Sequence, residues 1–148
     1  MKPKKTITIL MLVLILLMMV YSIQATPTVT KGDRSYLGGL VFYNVPEEAY
    51  QASSEQNKPV MMYFWAIWCQ FCAKVHSEVF PDAEVSKILN DEFILVAIDL
   101  DVDKKTSSQF NVFYPPYFIF LTPTGEIIER IPGYLPTESF LSHLNDIN

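Results

Sequence analysis

The chain alternates between stretches that are apolar without interruption and stretches whose apolar positions recur at helical spacing. Val60, Met61, Met62, Tyr63, Phe64 and Trp65 form one unbroken apolar run, residues 93–98 a second, and residues 117–121 a third. Runs this short and this continuous suit strands covered on both faces, because a strand with one wet face alternates instead. Lys58-Pro59 launches the first run. Residues 40–43 are a shorter strand candidate. Thr122-Pro123-Thr124-Gly125 predicts a hairpin turn after the third run, with residues 126–131 returning antiparallel until Pro132-Gly133 breaks them.

Helices are expected between these strands. Pro46-Glu47-Glu48 opens one that runs to about Asn57, with proline and acids in the first turn, where they are best tolerated. A second begins at Cys69 and continues through Lys74, Val75 and Val79 until Pro81. Asp82 can cap a third that reaches Leu89, with Val85, Ile88 and Leu89 on its apolar side. A fourth covers about 104–110, and a closing helix covers 137–144 with Phe140, Leu141 and Leu144 inward. The expected order is β-α-β-α-α-β-α-β-β-α, an α/β fold whose central mixed sheet has helices on both faces.

The N-terminus differs from the rest. Lys2, Lys4 and Lys5 precede an almost wholly apolar segment, residues 7–23, which at 17 residues meets the ~17–25 needed to span a bilayer. Residues 1–25 are read as a signal anchor or signal peptide outside the fold. An uncleaved anchor is preferred, since Ile23 stands where cleavage requires a small residue; secretion after cleavage is the alternative. The lysines stay cytoplasmic by the positive-inside rule, which puts the following domain on the extracytoplasmic side. Residues 26–39 read as a polar linker and residues 40–148 as the domain.

The 148 residues, 50% of them hydrophobic, suffice for one domain with a real core. Removing the three leading lysines from the eleven basic residues leaves eight against sixteen acidic ones, a net charge of −8. No basic cluster follows, so a nucleic-acid surface is not expected.

The chain has two cysteines, Cys69 and Cys72. Their position at a helix start puts unpaired N–H groups and the positive end of the helix dipole beside Cys69, which favours a thiolate. One thiol can then attack a disulfide and the other resolve the mixed disulfide. A C-x-x-C on its own leaves redox, zinc and chance open. A zinc site would need two more ligands; His76 and His143 are the histidines, and His76 is read as a solvated helix residue rather than a ligand. Ala73 after Cys72 excludes the haem attachment motif.

The run Phe64-Trp65-Ala66-Ile67-Trp68-Cys69-Gln70-Phe71-Cys72 resembles the active-site strand and motif of the thioredoxin superfamily. Tyr114-Pro115-Pro116-Tyr117 through Gly125 is similar to that family's cis-proline loop, strand and hairpin, and Ile131-Pro132-Gly133-Tyr134 to its glycine segment. The resemblance covers about 40–147 and is nearest to the exported, membrane-anchored branch, akin to the C-terminal domain of transmembrane thiol:disulfide interchange reductases. It implies a thioredoxin fold with Cys69 as the exposed nucleophile and Cys72 as the resolving thiol. Pro116 would be cis and face the pair, and Trp68 would cover one side of the sulfur. Trp68, Gln70, Phe71, Pro115, Pro116 and Tyr117 would bind substrate. No cofactor beyond the redox-active Cys69–Cys72 disulfide is implied, and no metal.

Three departures from the family pattern bear on chemistry. The buried aspartate and lysine of thioredoxins proper fall on Tyr63 and near Ala97, neither charged. The Tyr63 hydroxyl or water is left to substitute, which predicts slower release of the mixed disulfide. The intervening Gln70-Phe71 adds no cation to lower the Cys69 pKa. Pro115 lacks the N–H that the preceding residue would offer a substrate strand, which suggests a narrower partner range with Phe71, Tyr114 and Tyr117 as an apolar rim, unless these aromatics simply pack on one another.

The expected function is a thiol–disulfide oxidoreductase acting as reductant on exported or membrane-bound proteins with cysteines, fed by a transmembrane electron donor. Oxidase or isomerase activity through the same residues, and Cu(I) binding by the paired thiolates, are the alternatives.

Overall fold

The computed structural model describes residues 34–147 together with Ile9, Met11 and residues 13–15. Those five N-terminal residues are helical, and no helix among the described residues is long and apolar enough to cross a membrane. The rest of the expected anchor, and the linker up to residue 33, lie outside the described residues.

The domain is built on six strands: β1 (Arg34–Leu37), β2 (Leu40–Tyr43), β3 (Val60–Trp65), β4 (Ile94–Asp99), β5 (Tyr117–Leu121) and β6 (Ile127–Pro132). They form one sheet in the order β1-β2-β4-β3-β5-β6. β3 runs parallel to β4 and antiparallel to β5, which makes it a central strand of a mixed sheet. Five helices surround it: α1 (Pro46–Gln56), α2 (Gln70–Lys74), α3 (Ala83–Glu92), α4 (Lys104–Gln109) and α5 (Thr137–Ile147), with a π-helical turn (Val75–Val79) following α2.

The uninterrupted apolar runs have the cause expected of them. Met61, Tyr63, Leu95, Ala97, Phe118 and Phe120 face one buried cluster, shared with Val75, Val85, Leu89 and Phe140 from the helical side. Val60, Met62, Phe64, Val96, Ile98 and Ile119 face the other, with Ala49 and Ala52 of α1. Every second side chain therefore has a dry partner, and neither face can accept a polar alternation. Asp82 caps α3 as expected, its Oδ1 accepting the N–H groups of Glu84 at 3.0 Å and Val85 at 3.1 Å.

Two elements depart from the sequence expectation. The last part of the expected linker is β1, paired antiparallel with β2. Gly38 and Gly39, read as linker punctuation, are the two central residues of its hairpin turn, both with positive φ (57° and 85°). The helix after Cys72 does not continue regularly to Pro81 but widens into the π turn, where the Phe80 N–H reaches the Val75 carbonyl at 2.9 Å. Such widenings concentrate at functional sites. The domain accordingly begins earlier than residue 40.

Candidate active site

The chain leaves β3 at Trp65 and turns through residues 66–69, closed by the Cys69 N–H on the Ala66 carbonyl at 3.1 Å. Cys69 then takes the N-cap position of α2. Its backbone is extended, and its Sγ accepts the Cys72 N–H at 3.0 Å. A sulfur in this position satisfies one of the unpaired donors of the helix start, and the negative form accepts more strongly than the neutral one. Cys69 and Cys72 are joined in a disulfide with Cα atoms 5.2 Å apart. Cys72 is 1% exposed and Cys69 7%. The openly exposed nucleophile expected at Cys69 is not seen: in the disulfide state both cysteines are buried residues of the larger core cluster.

The second half of the site arrives from β5. Tyr117 pairs with Phe64 across the antiparallel β3–β5 ladder, so the start of β5 lies beside the end of β3 from which the cysteine turn departs. The Pro115–Pro116 peptide bond is cis, as the resemblance implied, and the Pro116 carbonyl accepts the Gly133 N–H at 2.9 Å. Pro116 is buried, Pro115 half-buried and Gln70 exposed.

Aromatic side chains flank the cysteines on two sides. Trp68 is 61% exposed, and its indole N–H donates to Asp101 Oδ2 at 2.6 Å. Lys104 pairs with the other oxygen of that carboxylate at 3.6 Å. A cavity of about 150 Å³ opens between Trp68, Leu100, Asp101 and Phe113. On the opposite side Phe71, 58% exposed, stacks on Tyr134 with ring centroids 6.0 Å apart. Tyr134 in turn carries the Lys74 ammonium 5.4 Å from its ring and donates its hydroxyl to Glu78 at 3.0 Å. Tyr114 and Tyr117 pack on each other at 5.9 Å, and Phe71 is engaged with Tyr134 instead of completing a rim with them.

His76 corrects a further expectation. It is half-buried rather than solvated, and its Nε2 lies 3.0 Å from the Tyr63 hydroxyl. Trp65 and Phe80 hold the ring at 5.8 and 6.0 Å. Burial lowers its pKa below the ordinary 6.5. Burial likewise pushes the Tyr63 phenol far above its ordinary range. Both side chains are therefore neutral at neutral pH. Among the described residues, no group of three or more His, Cys, Asp or Glu side chains is arranged to hold a metal.

Comparison with known proteins agrees with this geometry. A family model described as a thioredoxin-like domain matches residues 46–148. The chain belongs to the thioredoxin-like family. Its Cys69–Cys72 pair is the disulfide couple of a thiol–disulfide oxidoreductase of that type. Over 115 residues it is 33% identical to the thiol:disulfide interchange protein DsbD of Ralstonia nicotianae, covering 72% of this chain but 19% of that protein. It is also 29% identical over 100 residues to a thioredoxin of Alicyclobacillus acidocaldarius, covering 66% of this chain and 90% of that one. Among solved structures, a Thermus thermophilus thioredoxin superposes with a TM-score of 0.66 at 28% identity, covering 72% of this chain and 85% of that one. The oxidised C-terminal domain of Neisseria meningitidis DsbD superposes at 0.61 with 20% identity, covering 70% and 92%, which speaks for the fold alone.

Asp101, the partner of Trp68, was not singled out by sequence, and Tyr134, the partner of Phe71, entered only as the end of the glycine segment. Asp101 lies in the Asp99-Leu100-Asp101-Val102-Asp103 segment that follows the second apolar run. Its relation to Trp68 follows only from the β3–β4 register, in which Trp65 stands opposite Asp99.

Proposed function

We propose that this thioredoxin-like chain is a protein-disulfide reductase acting outside the cytoplasm on exported or membrane-bound proteins with cysteines. The observation that carries the direction is the surroundings of Cys69. Its sulfur receives one backbone N–H and the short helix start, while Gln70 and Phe71 bring no cation. The nearest lysine of α2, Lys74, is drawn to the Tyr134 ring, and the charge beside Trp68 is the Asp101 carboxylate. A couple is oxidising when its reduced form is specially stabilised, as by a strongly favoured thiolate. Here that stabilisation is small, which favours donation of electrons.

The Cys69 thiolate attacks one sulfur of a partner disulfide, and the partner's other sulfur leaves as a thiolate. The Cys72 thiolate then attacks Cys69 Sγ, which forms the intramolecular disulfide and releases the partner's second thiol. Two electrons pass to the partner, and an incoming dithiol must restore the pair. Outside the cytoplasm that dithiol implies a transmembrane donor. No group beyond the redox-active disulfide is needed. Trp68, Gln70, Phe71, Pro115, Pro116 and Tyr117 frame the approach to Cys69. Residues 1–25 serve as the anchor.

Reduction of insulin disulfides with dithiothreitol as the electron source tests this. Wild type should accelerate precipitation of the insulin B chain, and Cys69→Ser should fall to the uncatalysed rate. Equal rates for the two would overturn the proposal.

A further inference from the structure

Cys72 is 1% exposed and surrounded by apolar side chains, yet it attacks only as a thiolate, so its proton needs an acceptor in the core. No carboxylate is offered by the neighbouring strands, because Tyr63 and Ala97 occupy the facing positions of β3 and β4. We propose that the hydrogen-bonded pair Tyr63–His76 takes up that proton when Cys72 resolves a mixed disulfide, and that His76 releases it to water behind the β1–β2 turn. This rests on the reductase reading and names the proton route of the same site.

The geometry gives His76 two environments. On one side its Nε2 meets the Tyr63 hydroxyl at 3.0 Å, and Tyr63 belongs to the same buried cluster as Cys72. His76 itself follows Cys72 by four residues, one helical turn along the same face. On the other side it lines an open cavity of about 540 Å³ with Gly38, Gly39, Ser86 and Asn90. Gly38 packs directly on the His76 backbone, where a Cβ would lie 2.8 Å from the carbonyl oxygen. Tyr63, Trp65 and Phe80 lie against the His76 ring, and Gly38, Gly39, Ser86 and Asn90 line the cavity with His76; of these Tyr63 is the titratable one.

The protons balance as follows. Tyr63 is protonated and donates to Nε2, which leaves the imidazole proton on Nδ1. As Cys72 loses its proton toward the Tyr63 oxygen, the Tyr63 proton moves onto Nε2. Tyr63 is unchanged, and His76 becomes imidazolium. The Cys72 thiolate forms the bond to Cys69 Sγ, the Cys69–partner bond breaks, and the partner leaves as a thiolate that is reprotonated from solvent. His76 returns to neutral by releasing Nδ1–H to water in the cavity, and the imidazole proton moves from Nε2 back to Nδ1 by exchange with water before the next cycle. Tyr63 and His76 are relay residues that never touch the partner.

The reduced full chain in detergent, mixed rapidly with excess 5,5′-dithiobis(2-nitrobenzoate), separates the two thiols. The first thionitrobenzoate is released when Cys69 attacks, the second when Cys72 resolves. In wild type the second rate should rise with pH through an inflection below 6.5, the ordinary histidine value, and then level off. His76→Gln and Tyr63→Phe should each slow the second step by about tenfold or more and abolish that inflection, with the first step held within about twofold. Unchanged second-step rates and profiles in both variants would overturn the relay. If a variant loses its far-UV circular dichroism, the other variant and the wild-type profile decide, and a wild-type profile without the inflection is equally fatal. Absence of the first release in wild type would refute the reductase reading itself.

Discussion

Tyr63 and Ala97 stand opposite each other in the parallel register of β3 and β4, both buried, directly in the core that carries the cysteine pair. The core beneath the disulfide is therefore uncharged, and Tyr63 is its largest fully buried side chain. Its ring lies 5.1 Å from Phe118 and 5.2 Å from Phe80.

That packing sets the cost of two substitutions. Tyr63→Phe keeps the ring and loses the hydrogen bond to His76, an expected loss of about 1 kcal/mol. Tyr63→Asp empties the ring's space and buries a carboxylate without a cation, an expected loss of roughly 3–5 kcal/mol. Urea unfolding of the oxidised domain at pH 7 measures both. Similar losses for the two would show that the hydroxyl, not the packing, dominates.

Trp68 and Asp101 form a contact between exposed side chains, so its weight should fall on recognition rather than stability. Asp101→Ala should cost at most about 1 kcal/mol of unfolding free energy. With the indole no longer fixed by Asp101, the KM for a protein disulfide should rise several-fold while kcat changes little. Steady-state insulin reduction reads the split, and a fall in kcat at constant KM would contradict it.

The two turn glycines differ in a measurable way. A Cβ at Gly38 would sit 2.6 Å from Phe80 Cβ, whereas at Gly39 it would meet nothing within 4 Å. Gly39→Ala carries only the positive-φ penalty, about 1–2 kcal/mol. Gly38→Ala adds a clash with the π turn and should lower the melting temperature markedly further. Equal shifts would mean that the turn is not seated on the π turn.

The sheet and both its faces were legible because the continuous apolar runs at 60–65, 93–98 and 117–121 have no other stable placement, and the cysteine motif follows the first of them directly. What escaped were features decided by tertiary contact. The first strand, Arg34–Leu37, is short and preceded by polar residues, so nothing local distinguishes it from a linker until β2 is there to pair with it. The π turn has no residue signature of its own within residues 75–79; the Gly38 turn packs onto it, a contact distant in sequence. His76 looked solvated because helical spacing alone does not reveal that Tyr63, thirteen residues earlier, reaches it from the sheet.

Burial of His76 also predicts a pH dependence of stability. Its pKa is lowered in the folded state relative to the ordinary 6.5 of the unfolded chain, so the unfolded state binds the proton more readily. The contribution is complete above pH 6.5 and is lost as the pH falls from there toward the folded pKa. Unfolding free energies of the oxidised protein between pH 7.5 and about 5 should decline more steeply for wild type than for His76→Gln. Parallel curves would contradict the burial of an uncharged imidazole.

The direction of electron flow is tested most directly by equilibrating the Cys69–Cys72 couple with glutathione buffers of graded ratio and counting free thiols after acid quench. A weakly stabilised Cys69 thiolate predicts a potential more negative than about −200 mV, with the pair remaining largely oxidised until the buffer is strongly reducing. A potential near about −120 mV, where the dithiol form persists in mildly oxidising glutathione, would contradict the reductase account.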